Sequence, residues 1–270
     1  MNYKETAFTL AAQAAGLMRA NFTLGMHRDW KENNTPVTAT DLAINHLVIK
    51  HIRERFPDHS VLGEEDSSLR PESDYVWVCD PLDGTIPFSH GVPTSVFSLA
   101  LTYKGESILG ILADPYMDRT VYAEKGKGAF LNGKPIKVSE ETSLRATAIN
   151  VEVWKRDSSL KELPFALGEH GAKVTTLCSV AYAGMLVACG EFTADIFGGH
   201  NAWDIAALKV IVEEAGGKVT DINGKEQRYD QDIRGAVISN GLVHQQVLDL
   251  ITQERINAER HSSLRLAAVR

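Results

Sequence analysis

The chain has 270 residues, enough for one large domain or two fused lobes, and 44% of them are hydrophobic, which suits a sizeable core. The net charge is -7 without any basic run, so we expect no nucleic-acid partner held by charge. No apolar run reaches membrane-spanning length, and the N-terminus lacks the apolar core of a signal peptide, so we expect no membrane association. The three cysteines lie in apolar segments, which favours reduced thiols and a cytoplasmic location over a Cys178–Cys189 disulfide.

The N-terminal region predicts two amphipathic helices with a polar segment between them. Residues 3–21 place apolar side chains at helical spacing, which predicts the first helix. The stretch Trp30–Thr40 is polar, contains Asn33 and Asn34, and predicts a mobile loop. Asp41 then opens the second helix, where an N-cap role alone would account for an aspartate.

An acidic turn follows the buried strand that the sequence predicts at Tyr75–Cys79. The turn contains two carboxylates, Asp80 and Asp83, and ends in Gly84-Thr85. In an open α/β sheet, ligands bind at the carboxyl ends of the strands. Two carboxylates this close repel each other unless they share a proton or bind a cation, and Mg²⁺ is the divalent metal that best fits such oxygen ligands.

Similar acidic turns also occur in other kinds of structure. An Asx-type turn with Asp80 as the capping residue is the commoner structure for an isolated sequence of this kind. An aspartyl-phosphate enzyme is excluded because its nucleophile would fall on Pro81, which has no carboxylate. An EF-hand loop is excluded because the oxygen ligands and the glutamate at the twelfth position are missing. The nine histidines show no spacing typical of a zinc site.

Two further acidic positions follow predicted strands. Glu64 follows a short strand at residues 60–62, and a solvated loop would account for it. Asp204 follows a glycine-rich loop after the strand predicted at Thr193–Phe197 and precedes a helix, where it would serve as a cap. A carboxylate at that strand-to-helix junction can alternatively reach the same metal centre as the acidic turn.

The remaining pattern predicts further strands and helices without an internal repeat. A hairpin turn is predicted at Asn132-Gly133, and a lobe boundary between Glu140 and Ser143. The last helix is predicted near Leu242–Ile251, with a frayed or lightly packed tail after Ile256. The other predicted elements are strands at 95–103, 107–113, 146–151, 217–221 and 235–239 and a helix of small residues at 181–189.

Four motifs in one order resemble the inositol monophosphatase family. The motifs are Val37–Asp41, Gly63–Glu65, Asp80–Thr85 and Trp203-Asp204, the last followed by Glu213–Gly217. Together they are far more specific than any one of them. The resemblance implies an α/β fold, a layered αβαβα sandwich similar to inositol monophosphatase and fructose-1,6-bisphosphatase. It further implies a lobe at residues 1–142 that carries most metal ligands and a lobe at 143–270 that carries Asp204 and the substrate contacts, in one compact catalytic unit.

The resemblance also implies a Mg²⁺-dependent phosphomonoesterase that uses two or three metal ions and a metal-activated water. Metal ligands would be the carboxylates of Glu64, Asp80, Asp83 and Asp204 and the backbone carbonyl of Leu82. Glu64 and Thr85 would position the attacking water, and Asp41 would orient Thr85 or a third hydrated metal. A homodimer and sensitivity to Li⁺ are expected on the same ground.

Substrate contacts follow in part from the resemblance. The backbone N–H groups of Gly84 and Thr85, at the start of a helix, would bind phosphate oxygens, and Asp83 and Asp204 would contact the substrate as well. Three other candidates for substrate contacts are His200, Asn201 and Asp195, the last of which is expected at the end of a strand. Lys31 is either an ordinary surface lysine or a residue that closes over the phosphate, as similar loops do in the family.

The leaving-alcohol side departs from the family pattern, so the substrate is open. The stretch Ile196–Ala202 lacks the glutamate that usually grips inositol hydroxyls, and Ile86-Pro87-Phe88 replaces residues that are usually polar. Inositol monophosphate, histidinol phosphate, fructose 1,6-bisphosphate, other sugar phosphates and a nucleotide 3′-phosphate remain candidates. A single ester is favoured because no Lys/Arg cluster is visible for a second phosphate. The alternative from another class is a catalytically silent, metal-binding regulatory protein.

Overall fold

The computed structural model describes residues 2–31, 36–152 and 160–268, with side chains up to residue 258. Asn33 and Asn34 of the predicted polar loop lie outside the described residues. The ends of that segment are not simply a loop, because Asp29–Trp30 pairs antiparallel with Pro36–Val37.

The first half of the chain contains three helices and nine strands among the described residues. In chain order they are α1 (Tyr3–Asn21), β1 (Asp29–Trp30), β2 (Pro36–Val37), α2 (Ala39–Arg55), β3 (Ser60–Gly63), β4 (Tyr75–Asp83), α3 (Thr85–Ser89), β5 (Val96–Tyr103), β6 (Glu106–Asp114), β7 (Arg119–Glu124), β8 (Ala129–Leu131) and β9 (Lys134–Pro135). Strands β3 to β9 form one seven-stranded sheet in chain order. Only β3 and β4 are parallel, so the acidic segments that follow them emerge at the same edge.

The second half builds a five-stranded sheet in the order β11-β10-β12-β14-β13. Its elements are β10 (Ala148–Glu152), α4 (Leu163–Glu169), β11 (Lys173–Thr175), α5 (Val180–Ala188), β12 (Ala194–Phe197), a 3₁₀ turn (Ala202–Asp204), α6 (Ala206–Glu214), β13 (Lys218–Thr220), β14 (Ala236–Ser239) and α7 (His244–Ala268). Strand β10 is parallel to both β11 and β12. The carboxyl ends of β10 and β12 therefore lie side by side.

Three apolar clusters hold five layers together. Helices α1 and α2 bury residues such as Leu10 and Ile44 against one face of the seven-stranded sheet. Helices α5 and α6 lie between the two sheets, with Leu208 in the shared cluster. Helices α4 and α7 cover the outer face of the five-stranded sheet, where Leu163 and Val247 are buried. Burial of these faces is the main favourable contribution to folding, and it produces the predicted αβαβα order.

Most predicted elements end within two residues of the observed ones, and three of the differences need comment. Strand β4 does not stop at Cys79 but continues to Asp83, with a register shift between Asp80 and Asp83 that marks a β-bulge. The N-cap of α2 is Thr38 rather than Asp41. Helix α7 does not end near Ile251 but continues to Ala268. None of the described helices is both long and apolar enough to cross a membrane.

Candidate metal centre

The bulged end of β4 carries the first two carboxylates of the site. Asp80 and Asp83 are 2% and 4% exposed, although aspartate is usually found at the protein surface. The backbone N–H of Leu82 donates to Asp80 Oδ1 at 2.9 Å, which forms the Asx-type turn that was considered as an alternative to a metal site. This contact uses one oxygen of Asp80, so the turn and a metal-binding role are compatible.

Gly84 lets the chain turn sharply after the second carboxylate. Its φ of 90° lies in the left-handed region, and a Cβ here would lie 2.9 Å from the Ser179 Cβ and 3.0 Å from the Thr94 carbonyl oxygen. Helix α3 begins at the next residue, Thr85. The N–H groups of Gly84 and Thr85 thus lie at a helix start, where we predict that they bind phosphate oxygens.

Asp41 joins the start of α2 to the acidic turn. It is the N3 residue of a capping box, and its Oδ2 accepts hydrogen bonds from the Thr38 N–H at 2.9 Å and from the Thr38 hydroxyl. Asp41 Oδ1 lies 2.9 Å from Thr85 Oγ1, which is also 3.2 Å from the Leu82 carbonyl oxygen. Burial raises the pKa of Asp41, and the hydrogen bonds from Thr38 and Thr85 oppose that rise. The contact with Thr85 is the one that the orienting role of Asp41 requires.

Asp204 approaches the turn from the other sheet, at the end of the 3₁₀ turn after β12. One carboxylate oxygen from each of Asp80, Asp83 and Asp204 lies within 4.8 Å of the others. Burial raises the pKa of Asp80 and Asp204 well above the usual range, and neighbouring carboxylates add to the shift. Burial also raises the pKa of Asp83 to about 7, against hydrogen bonds that lower it. The cluster therefore holds negative charge at a free-energy cost that a cation would relieve.

Glu64 and Glu65 lie beside this cluster, at the end of β3. The Glu64 N–H donates to the Cys79 carbonyl at 3.2 Å, next to the acidic turn. Lys31 Nζ lies 2.9 Å from Glu64 Oε1 and 2.5 Å from Glu65 Oε1. The side chain of Lys31 is only 23% exposed and that of Glu65 only 6%, so neither the ordinary surface lysine nor the solvated acidic loop describes this segment. Burial and the Glu64 charge raise the pKa of Glu65 to about 7.

The family model of the inositol monophosphatase family matches residues 2–264. The chain belongs to the inositol monophosphatase family. A Thermotoga maritima protein named fructose-1,6-bisphosphatase/inositol-1-monophosphatase is 35% identical over 221 residues, 80% of this chain and 82% of that protein. Inositol monophosphatase 3 of Solanum lycopersicum is 34% identical over 257 residues, 88% of this chain and 92% of that protein. The solved structure of a Thermotoga maritima IMPase aligns with a TM-score of 0.84 and 31% identity, covering 94% of this chain and 98% of that one.

In this member of the inositol monophosphatase family, the donor set fits Mg²⁺. All three grouped side chains offer carboxylate oxygens, the ligand type that Mg²⁺ prefers, and the group includes no sulfur or imidazole that would favour zinc. Two of the three are almost fully buried, with raised pKa values, as expected of a site whose compensating charge is a cation. The structure therefore brings together three of the four predicted carboxylate ligands, with Glu64 alongside them and paired with Lys31.

Sequence reasoning missed Ser179 and Ala181. The Ser179 hydroxyl donates to Asp83 Oδ1, and the backbone N–H of Ala181 donates to the same oxygen at 3.2 Å. Ser179 is the N-cap of α5, which begins at Val180. A serine just before a predicted helix is a signal for a cap, but only the folded chain shows that this cap also holds Asp83.

The predicted substrate contacts differ in their surroundings. The side chain of His200 is accessible, because this residue is exposed. Its backbone is held by a hydrogen bond from the Ile233 N–H to the His200 carbonyl at 2.7 Å. The expectation that Asp195 lies at the end of a strand is wrong. Asp195 is the second residue of β12, is fully buried, and accepts a hydrogen bond from Asn150 Nδ2 at 2.9 Å, so its carboxylate is not accessible to a substrate.

Proposed function

We propose that this chain is a Mg²⁺-dependent phosphatase that hydrolyses a small phosphate monoester, in the manner of inositol phosphate phosphatases. The observation that carries the proposal is the convergence of Asp80 and Asp83, from the end of β4, and Asp204, from the 3₁₀ turn after β12, within 4.8 Å of one another. Family membership over residues 2–264 supports the same reaction class. A phosphate monoester is anionic, so an acidic site can accept it only together with cations.

The residues that would hold two or three Mg²⁺ ions are Glu64, Asp80, Asp83, Asp204 and, through its carbonyl oxygen, Leu82. Bound Mg²⁺ would supply charge neutralisation and a water of lowered pKa for attack on phosphorus. The buried carboxylates fix the place of that charge, because Asp80 is held by the Leu82 N–H and Asp83 by Ser179 and Ala181. This orientation is set before any substrate arrives.

Thr85, held by Asp41, would position the attacking water. The Thr85 hydroxyl donates to Asp41 Oδ1, so its own lone pairs can accept a hydrogen bond from a water molecule. Glu64 would be the second group that orients this water. The backbone N–H groups of Gly84 and Thr85 would bind the phosphate oxygens, because they lie at the start of α3.

Lys31 is the candidate for a residue that pairs with the substrate phosphate. Its ammonium group contacts Glu64, one of the proposed metal ligands. A cation bound at Glu64 would compete with this ion pair, and the substrate phosphate would offer Lys31 a new partner. We expect Lys31→Ala to raise KM for the phosphate ester more than it lowers kcat.

The leaving alcohol is not selected by the described contacts. No acidic side chain occurs in the stretch Ile196–Ala202, and Phe197 is buried there. Inositol monophosphate is the first candidate, with histidinol phosphate, fructose 1,6-bisphosphate and a nucleotide 3′-phosphate as alternatives. The homodimer, the cytoplasmic location, the lack of a nucleic-acid partner and the lobes at 1–142 and 143–270 stay predictions.

The alternative of a catalytically silent regulatory protein has less support. Such a protein retains the fold without the need for a complete set of ligands and water-positioning groups. Here the acidic cluster is accompanied by the Asp41–Thr85 contact that water activation needs. The complete set favours the enzyme.

The test is phosphate release from the candidate esters, with Mg²⁺ or with a chelator. We compare the native chain with Asp204→Asn and with the matched control Asp249→Asn, an exposed position on α7. The proposal expects turnover of at least one ester that chelation and Asp204→Asn abolish and Asp249→Asn leaves unchanged. Turnover that persists in the chelator would contradict the proposed metal chemistry.

A further inference from the structure

Three buried polar side chains lie behind the metal centre and have no part in the chemistry proposed above. Asn150 and Glu152 belong to β10 and Asp195 to β12, and their exposed fractions are 0%, 4% and 0%. They share one face of the five-stranded sheet, because alternate residues of a strand point the same way and Asn150 lies in register with Asp195. Burial of three such groups is costly unless they make specific hydrogen bonds.

The three side chains form a connected network. Asn150 Nδ2 donates to Asp195 Oδ1 at 2.9 Å and to Glu152 Oε1 at 3.3 Å. At its other end the network binds backbone. Asn150 Oδ1 accepts from the Leu177 N–H at 3.0 Å, and Glu152 Oε1 accepts from the Cys178 N–H at 2.7 Å.

The bound segment is a turn that needs such support. Cys178 has a φ of 56°, in the left-handed region that a non-glycine residue rarely adopts. The Thr176 hydroxyl also donates to the Val151 carbonyl at 3.1 Å, so side chains and backbone of β10 hold the turn at several points. The next residue is Ser179, whose hydroxyl contacts Asp83 Oδ1.

We propose that Glu152 is a positioning residue that fixes the orientation of Asp83 through the Cys178 turn. The path runs from the Glu152 carboxylate to the Cys178 N–H, along one residue of backbone to the Ser179 hydroxyl, and from there to Asp83. This inference rests on the proposed function, because it treats Asp83 as a ligand of Mg²⁺. Groups that hold metal ligands in place typically change metal affinity or activity by about 10- to 100-fold when removed.

Glu152 can influence Asp83 in a second way, through its charge. Its carboxylate is one of the groups that raise the pKa of Asp83. Positioning requires the reach of the side chain to the Cys178 N–H, whereas the charge effect requires only a carboxylate nearby. Two conservative substitutions separate these requirements, since Glu152→Gln keeps the reach and an acceptor oxygen, and Glu152→Asp keeps the charge but shortens the side chain.

The experiment is calorimetric titration of the full chain with Mg²⁺, with phosphate release measured on the same samples. The variants are Glu152→Gln, Glu152→Asp and Glu152→Ala. The matched control for general loss of stability is Val237→Ala, a fully buried apolar position on β14 in the cluster under α4 and α7. We expect Glu152→Asp and Glu152→Ala to weaken Mg²⁺ binding about tenfold or more, and Glu152→Gln and Val237→Ala to stay within about threefold of the native chain.

Rescue by glycine gives a second readout. Glycine adopts the left-handed backbone without strain, so Cys178→Gly in the Glu152→Asp background removes the need for the anchor. We expect the double variant to recover part of the lost Mg²⁺ affinity, which a pure charge effect would not allow.

The possible failures are distinguishable. A native chain that neither binds Mg²⁺ nor releases phosphate overturns the proposed function and this inference with it. A native chain that does both, with Mg²⁺ affinity unchanged in Glu152→Asp, overturns this inference alone. Loss in Glu152→Gln together with retention in Glu152→Asp also overturns it, in favour of the charge effect.

Discussion

The two sheets contribute to the candidate site in different ways. The seven-stranded sheet supplies Asp80 and Asp83 from one strand end, so a local motif fixes them as neighbours. Segments that follow strands of the five-stranded sheet supply Asp204, from the 3₁₀ turn after β12, and the Ser179 hydroxyl that holds Asp83, from the N-cap of α5. The N-terminal half contributes two carboxylates that are neighbours in the sequence. The C-terminal half adds a third carboxylate and a hydroxyl that orients Asp83, both from residues far away in the sequence. The ligands can therefore be found from a motif, whereas the groups that orient them depend on packing between the sheets.

The largest effect is expected from removal of a ligand in the N-terminal motif. Asp80→Asn takes a negative charge from the centre of the cluster, and metal ions contribute several kcal/mol of transition-state stabilisation, so we expect kcat to fall at least about 1,000-fold. Steady-state phosphate release at saturating Mg²⁺ measures it. The control is Asp74→Asn, because Asp74 lies just before the same strand and its side chain is 55% exposed. A loss of less than about tenfold in Asp80→Asn would show that this motif does not carry the metal.

The second effect concerns the free energy of unfolding, to which the buried carboxylates of both halves of the chain contribute. Burial raises the pKa of Asp83 from its ordinary value of 3.8 to about 7 in the folded chain, and it also raises the pKa values of Asp80 and Asp204. The folded state therefore binds more protons than the unfolded state, and the free energy of unfolding of the metal-free chain should fall as pH rises from about 4 through about 7.

Mg²⁺ should reverse this loss at pH 8. At about 100 times its Kd, it should stabilise the fold by about 2.7 kcal/mol, provided that it does not bind the unfolded chain. Urea unfolding at pH 5 and pH 8, with and without Mg²⁺, measures both effects. Metal-free stability that rises between pH 5 and pH 8 would contradict the electrostatic account of the cluster.

The smallest effect is expected from the C-terminal orienting group. Ser179→Ala removes one of two hydrogen bonds to Asp83 Oδ1 and leaves the Ala181 N–H in place, so we expect a loss of about tenfold in Mg²⁺ affinity. Ser179→Thr keeps the hydroxyl and should retain most of the affinity. If alanine and threonine behave alike at this position, the hydroxyl has no orienting role and the contrast between the two sheets is weaker than we infer.

The layered fold and the full set of acidic ligands were predicted from the resemblance that the four motifs carry, whereas the acidic turn itself follows from a local pattern. Apolar periodicity marks the helices, and a strand that ends in Asp-Pro-Leu-Asp places two carboxylates together whatever the rest of the chain does. The role of Thr38 was missed because Ser, Thr and Asp are all good caps. Only the capping box shows that Asp41 stands three residues inside the cap.

The orienting groups could not be predicted because they depend on strand order. Glu152 and Asp83 are far apart in the chain, and their connection requires β11 beside β10 and the Cys178 turn facing the end of β4. Neither register nor sheet order can be read from one sequence. Asp195 shows the same limit, because a one-residue difference in position decides whether a side chain of a strand faces a site or is buried.

The proposed metal centre requires that carboxylates from the end of β4 and from the 3₁₀ turn after β12 bind the same divalent ion. Anomalous diffraction from crystals soaked with Mn²⁺, a substitute for Mg²⁺ with the same preference for oxygen ligands, tests it most directly. We expect an anomalous peak in contact with carboxylate oxygens of Asp80, Asp83 and Asp204. A peak bound only by residues of the seven-stranded sheet, or no peak among these three side chains, would contradict it.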